Sequence, residues 1–333
     1  PVYVPDWSFQ DAEPTLYSEY SIEFPGFLNY AFALTGPRPD VQGEITPLNR
    51  TYGDASRMRW AKVDAPAIRR EPFMRALSDY QSRMQVQFAG YLDPGVGYIT
   101  VLGTWEKLAA DLGASEFGRN LKPSRRIRDL ALELTDGTNN DRERVEALYK
   151  FVSQNIDWNR EYGWYSDRKY DDVLKQKSGD AGEVNGLLVS LLRAVDIEAE
   201  LLLISTRQNG QTIELYPITS QFNYALAWVP VGSRGISLDA TDPYRPSTML
   251  PLRALVDRGW ISDADNPRWT AIKSQGAYRR QTYGIARIDE TGTLHGEMSG
   301  SDSGYSAVES FEMLENGTVD DYVRDEIIDL PAE

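Results

Sequence analysis

Cysteine and histidine, two of the side chains most used in enzymatic chemistry, are nearly missing from this chain. Its 333 residues include no cysteine and a single histidine, His295. A thiolate nucleophile, a disulfide and a Cys-ligated zinc are therefore excluded. The zinc-protease motif needs two histidines, and His295 lies beside a hairpin turn as a surface residue, so that motif and a His-based triad are excluded too. What remains is oxygen and aromatic chemistry. Asp136-Gly137-Thr138-Asn139-Asn140-Asp141 offers oxygen ligands for calcium but lacks the twelve-residue loop with its closing Glu. It reads as an Asx-rich turn that caps the next helix, and Asp263-Ala264-Asp265-Asn266 reads the same way. Trp158-Asn159-Arg160-Glu161-Tyr162-Gly163-Trp164-Tyr165 sets four aromatics beside an arginine. Aromatic faces with polar edges suit a sugar or a peptide, and they also suit a well-packed loop. No metal and no cofactor is expected.

The charge balance narrows the partners. Asp and Glu number 50 against 35 Lys and Arg, a net charge of −15 with a pI near 4.7. Such a surface repels phosphate backbones and anionic lipid, and no Lys/Arg block overrides it, so no nucleic-acid partner is expected. The longest apolar runs, Leu187–Leu192 and Ala199–Ile204, fall short of the roughly 20 residues a membrane-spanning helix takes. The chain begins at Pro1, not Met, as expected of a processed or excised product.

The elements that must position any site fall into three blocks. Residues 1–104 read as β structure: runs rich in Tyr, Phe, Val and Ile separated by Pro, Gly and Asp, with Met84, Val86 and Phe88 alternating with polar residues. A β-sandwich fits. Over 105–270 helices come first. Trp105, Leu108, Ala109 and Leu112 share a helical face; Val145, Leu148, Tyr149 and Val152 share another, in a helix with Asp141 as N-cap. A third helix starts near Asp180, carries Val184, Leu187, Leu188, Leu191 and Leu192, and ends near Val195-Asp196. Strands follow at 198–205, 222–231 and 235–239. Residues 271–333 form a β module, with hairpin turns at Asp289-Glu290-Thr291-Gly292 and Glu315-Asn316-Gly317. The fold class is α+β.

Three motifs in order resemble the transglutaminase-like, papain-like superfamily: Lys177-Ser178-Gly179-Asp180-Ala181-Gly182-Glu183, then Gln221-Phe222-Asn223-Tyr224-Ala225-Leu226, then Ile236-Ser237-Leu238-Asp239-Ala240-Thr241-Asp242. The flanks around Tyr149–Asn159 and Arg193–Arg207 resemble the same core. Trp7-Ser8-Phe9-Gln10, Tyr17–Tyr20, Pro66-Ala67-Ile68, Glu71-Pro72-Phe73-Met74 and Asp79–Arg83 resemble a β domain of unknown function found before such cores in bacterial envelope proteins. That domain is expected to start part-way through. Gly304-Tyr305-Ser306-Ala307 resembles the β module that follows them. The family's nucleophilic Cys, its His and its Asp fall on Ala181, Tyr224 and Asp239. Two triad positions are changed at once, which points to a natural loss.

The resemblance implies a remnant cleft lined by Asp180, Glu183, Asn185, Asn223, Trp158 and Trp164. Asp239 is expected to accept backbone N–H bonds and hold a turn. Glu183 and Asn185 are expected to cap and pack the helix. The implied function is non-catalytic: a binding or scaffolding module of a bacterial envelope, periplasmic or secreted, with a protein, peptide or glycan as ligand. One alternative is a hydrolase that uses Tyr224 or the carboxylates Asp180, Glu183 and Asp239, which would need carboxyl groups ~5–9 Å apart. The other is a purely architectural segment of a larger secreted protein.

Overall fold

The computed structural model describes residues 4–50, 53–232 and 234–323. Its first hundred residues are strands: β1 (Trp7–Ser8), β2 (Thr15–Pro25), β3 (Leu28–Thr35), β4 (Val41–Arg50), β5 (Gly53–Ala65), β6 (Arg83–Asp93) and β7 (Gly97–Thr100). They form two antiparallel sheets. One runs β2-β5-β4; the other runs β1-β6-β3, with β7 also paired to β6. The period-two pattern explains the packing. Met84 and Val86 on β6 and Tyr30 on β3 turn inward from one sheet, and Tyr20 and Trp60 from the other. Together with Phe9 they form one core.

Helices then take over: α1 (Trp105–Ala114), α2 (Glu116–Asn120), α3 (Arg125–Leu134) and α4 (Asp141–Asn155). The expected N-cap of α4 is corrected by one residue. Asn140, not Asp141, accepts from the Glu143 backbone N–H at 3.0 Å. Glu143, not Arg144, then sits in the third helical position, where its carboxylate reaches back to Asn139 N at 2.8 Å. A two-residue strand, β8 (Asp157–Trp158), pairs in parallel with β9 (Ser178–Gly179), and α5 (Tyr170–Gln176) lies between them.

The centre of the core is α6 (Ala181–Ala194), with every residue but Arg193 buried. Asp180 caps it in a full capping box with Glu183, which satisfies two end donors reciprocally. Behind it stands an antiparallel sheet in the order β12-β11-β10-β13-β14, made from β10 (Glu200–Ile204), β11 (Tyr224–Val231), β12 (Arg234–Leu238), β13 (Arg258–Ile261) and β14 (Arg268–Ala271). Alternation divides its side chains. Leu201, Leu203, Ala225, Ala227 and Val229 pack with the helices; Leu202, Ile204, Tyr224, Leu226 and Trp228 fill a second cluster that includes Ala181.

The C-terminal block is β15 (Tyr278–Ile288), β16 (Leu294–Gly304), α7 (Tyr305–Asn316) and α8 (Val319–Tyr322). Asp289–Gly292 is the hairpin turn, as expected. The second expected turn is overturned: Glu315-Asn316-Gly317 is the end of α7. Tyr305 and Val308, three apart on that helix, bury against Met249 of the core, and this packing outweighs the local Asn-Gly turn signal. The block is thus a hairpin plus helices, not all β.

One glycine in α6 tests the packing. An Ala in place of a helical Gly usually stabilises, but a Cβ on Gly186 would collide with the Tyr170 hydroxyl. Gly186→Ala is expected to destabilise by about 1–3 kcal/mol through overpacking, read as a lower denaturant midpoint.

Candidate functional site

The carboxylate of Asp239 ends the strand β12 inside the protein, 1% exposed. A buried charge needs partners, and here they arrive from four elements. The Tyr224 hydroxyl, from the start of β11, donates to Oδ2 at 2.8 Å. The Thr241 hydroxyl and backbone N–H donate to Oδ1 at 2.8 and 3.2 Å. Asn185, one turn into α6, donates to Oδ1 at 3.1 Å, and its own oxygen accepts from Ala240 N at 2.9 Å. The fourth partner is Arg253, from the loop before β13. Its guanidinium donates to the Tyr224 and Thr241 hydroxyls at 3.1 and 2.6 Å and lies 3.7 Å from Asp239 Oδ2. Arg253 thus feeds two hydroxyls, and each hydroxyl feeds one carboxylate oxygen.

A lid of aromatics closes the network from outside. The Arg253 guanidinium stacks 4.2 Å over the Trp158 ring, Trp158 stacks on Tyr162, and Tyr162 meets Tyr224 edge-on at 5.5 Å. The Glu161 carbonyl accepts from Trp158 Nε1 at 2.8 Å and from the Ala181 backbone N–H at 3.2 Å. A backbone N–H at a helix N-terminus is the kind of donor that stabilises an oxyanion. In this chain it already holds a carbonyl. Ala181 and Tyr224 are fully buried, and Gly163 and Trp164 lie so close to Gly182 that a Cβ there would meet their backbone at 3.2 Å.

The nine sequence-level candidates therefore separate. Ala181, Tyr224, Asp239 and Asn185 come together, with Trp158 on top. Asp180 and Glu183 face another way: the Glu183 carboxylate pairs with Arg168 at 2.8 Å and accepts from Ser166 at 3.0 Å. Glu183 and Asp239 thus answer to different partners. Trp164 does not line this site; it packs against Phe117 and Phe222 on the helix side of the sheet. Nor does Asn223, whose amide bonds both Thr206 N and Thr206 Oγ1 and pins the chain after β10. Side chains therefore fill the remnant cleft around Ala181, Tyr224 and Asp239, and Trp164 is not one of its walls. The expected walls were drawn from one aromatic run whose members fall on opposite sides of the core.

The residue that sequence reasoning missed is Arg253. It follows Leu252 in a loop, twelve residues beyond Thr241, and no motif spacing marks it. Thr241 was visible only as part of a motif. Tyr149 was read as core, yet its hydroxyl also ties the backbone carbonyls of Asp239 and Arg245, at 3.0 and 2.8 Å.

The electrostatics favour a static site. Burial, and then the Asp239 carboxylate, push the Tyr224 phenol well above its ordinary range, so it stays protonated and donating. A phenol held this way is a poor base and a poor nucleophile. Burial likewise raises Asp180.

Residues 128–240 match the model of the transglutaminase-like superfamily. No curated protein matches the chain. A crystal structure from Parabacteroides distasonis, of a protein provisionally named a protease, superposes with a TM-score of 0.51 at 18% identity. The match covers 83% of this chain and 49% of that one, so the chain spans about half its length. This likeness supports the α+β fold, with a transglutaminase-like core flanked by β sheets. A structure from Cytophaga hutchinsonii, of a protein provisionally named a cysteine protease, matches at 16% identity over 90% of both chains. Its TM-score of 0.32 is too low to argue from.

Two outcomes follow from the network. Arg253→Met removes the cation and leaves a buried carboxylate; the expected loss is about 3 kcal/mol in chemical denaturation, the low end of the range for a broken buried pair, because a fifth of the Arg253 side chain stays in water. Adding Asp239→Asn is expected to recover most of it. The second concerns pH. Tyr149, Tyr170 and Tyr224 are all raised, mainly by burial. Above a pH of about 10 the unfolded chain releases these protons and the native state keeps them. Their contribution is therefore full below that pH and falls as pH rises towards the native values. In a spectrophotometric titration, these tyrosines are expected to ionise only together with alkaline unfolding.

Proposed function

We propose that the transglutaminase-like domain at residues 128–240 works without chemistry, as a binding or scaffolding module. The observation that carries this reading is the Asp239 network. The carboxylate that would orient a catalytic imidazole is neutralised by Arg253 and roofed by Trp158 and Tyr162, and the adjacent helix-end N–H is occupied by the Glu161 carbonyl. A substrate would have to displace a stacked aromatic lid to reach a methyl group, a phenol that burial keeps protonated and a carboxylate held by Arg253, none of them an activated nucleophile. The name of the Parabacteroides distasonis protein suggests proteolysis, but thiol proteolysis needs a cysteine and this chain has none. Hydrolysis by carboxylates is weakened as well, since Glu183 is ion-paired to Arg168 and Asp239 is fully bonded. We place the module in a bacterial envelope, periplasmic or secreted, on family resemblance; a fractionation that left it with cytoplasmic proteins would refute that placement.

A second reading, an architectural segment of a larger protein, draws on one observation. The ribbon formed by β15 and β16 pairs with no further strand among the described residues and leaves Ile285, Ile288 and Leu294 exposed. This reading differs in expecting no separate ligand.

Purified protein is expected to be inert towards peptides and glutamine–lysine cross-linking. Turnover that vanished in Asp239→Asn would sink the proposal. The double variant Ala181→Cys/Tyr224→His, which restores the missing residue types, is expected to stay inert. Its introduced thiol should react with an alkylating reagent at a small fraction of the rate of an exposed thiol, because the position is sealed.

A further inference from the structure

The chain between the two blocks makes a turn that its sequence does not favour. Glu71-Pro72-Phe73-Met74 is closed by a hydrogen bond from Met74 N to Glu71 O at 3.3 Å. Phe73 sits at φ 67°, the left-handed conformation that a type II turn, with Pro at its second position, asks of its third, and which glycine normally supplies. A residue with a Cβ is strained there, and a large one more so. The strain gains Phe73 no contact within the chain, since 95% of it is exposed. The surroundings hold it in place. The Arg207 guanidinium donates to the Phe73 carbonyl at 2.7 Å, the Arg207 carbonyl accepts from Ala76 N at 3.0 Å, and Arg70 bonds Gln208. A strained residue fixed by its neighbours and presented to solvent points to a function outside the chain.

The ground around Phe73 has its own chemistry. A shallow recess of about 730 Å³ lies between it and the core, with Met74, Leu252 and Leu255 as its apolar part and Arg70 and Arg207 at its side. Leu252 is 57% exposed. Most arginines of this acidic chain are paired to carboxylates, as Arg75 is to Asp257 and Arg258 is to Glu214. No ion pair joins Arg70 or Arg207 to a carboxylate among the described residues; each bonds only neutral oxygens. One carboxylate, Glu71, also borders the recess, and the chain as a whole carries −15. A polyacidic partner would therefore be repelled, whereas a single carboxylate beside an apolar anchor would meet two open guanidinium forks.

We propose that this surface docks a short extended segment of a partner polypeptide, with an aromatic or leucine anchor packed against Phe73 and Leu252 and one adjacent carboxylate held by Arg70 and Arg207. This deepens the binding-module reading and rests on it. The recess abuts the sealed site, because Leu252 precedes Arg253 and the Arg207 N–H bonds the Arg253 carbonyl at 2.9 Å.

The test uses the full chain and a panel of fluorescein-labelled ten-residue peptides. In these, Phe, Trp or Leu sits next to one Asp in a Gly/Ser background; the controls carry Asn for Asp or Ser for the anchor. Anisotropy is expected to show saturable binding by at least one member, lost in both of its controls and weakened by salt. Phe73→Gly is expected to bind at least about tenfold more weakly while melting no lower, and about 1–2 °C higher if the strain is released. Arg70→Gln is expected to flatten the salt dependence. The proposal is overturned if no member binds, if Phe73→Gly binds equally well, or if that variant is less stable, since Phe73 would then be structural. A concentration-dependent dimer abolished by Phe73→Gly would make the occupant a second copy and likewise overturn it. Peptide turnover, by contrast, would refute the non-catalytic reading without touching the docking surface.

Discussion

Asp239 is a negative charge with no water. Every nearby feature can be read as an answer to that constraint. A carboxylate transferred into a protein interior costs several kcal/mol even after relaxation, so it persists only where donors converge on it. Here β12 delivers the carboxylate, β11 a phenol, α6 an amide and the loop before β13 a cation. The sheet order and the helix register are what let these four elements meet at one point. The network therefore ties together segments far apart in sequence: Asn185 and Asp239 are 54 positions apart, and Tyr224 and Arg253 are 29. It does for this core what a metal or disulfide does in other small domains, with directional bonds that specify one arrangement.

Much of this was legible in the sequence because the signals were local. The apolar period from Val184 to Leu192, with a start near Asp180, announced α6, and the strands after it followed from compact apolar runs. The placement of Ala181, Tyr224 and Asp239 in one cluster came from motif order. What could not be read was the pairing of elements without a shared motif. Arg253 looks like any loop arginine until the fold carries it over Trp158. Trp158 and Trp164 looked like neighbours on one wall, but the five irregular residues between them send them to opposite sides of the sheet. The α7 error has a similar cause. Asn316-Gly317 is a strong local turn signal, and only the burial of Tyr305 and Val308 against a residue some fifty positions earlier decides for a helix. Local chemistry proposes and tertiary packing decides.

The N-terminal β block and the core have separate hydrophobic clusters and are joined by polar contacts. Arg75 makes a two-pronged pair with Asp257, and Asp79 accepts from the Gln211 backbone N–H at 2.7 Å. These contacts bracket the turn that presents Phe73. Interfaces of this kind are modest in energy when exposed, but they fix how the segment carrying Phe73 sits against the core.

The sealing of the site also has a direction in time. With the methyl, the phenol, the guanidinium and the aromatic roof interlocked, each position now stabilises the others. Placing a different residue type at any one of them opens a void, strands a charge or buries an unpaired polar group. Single substitutions in this cluster are therefore uphill in stability. The arrangement works as a ratchet: selection on folding alone is enough to hold these positions, independently of any use the rest of the surface is put to.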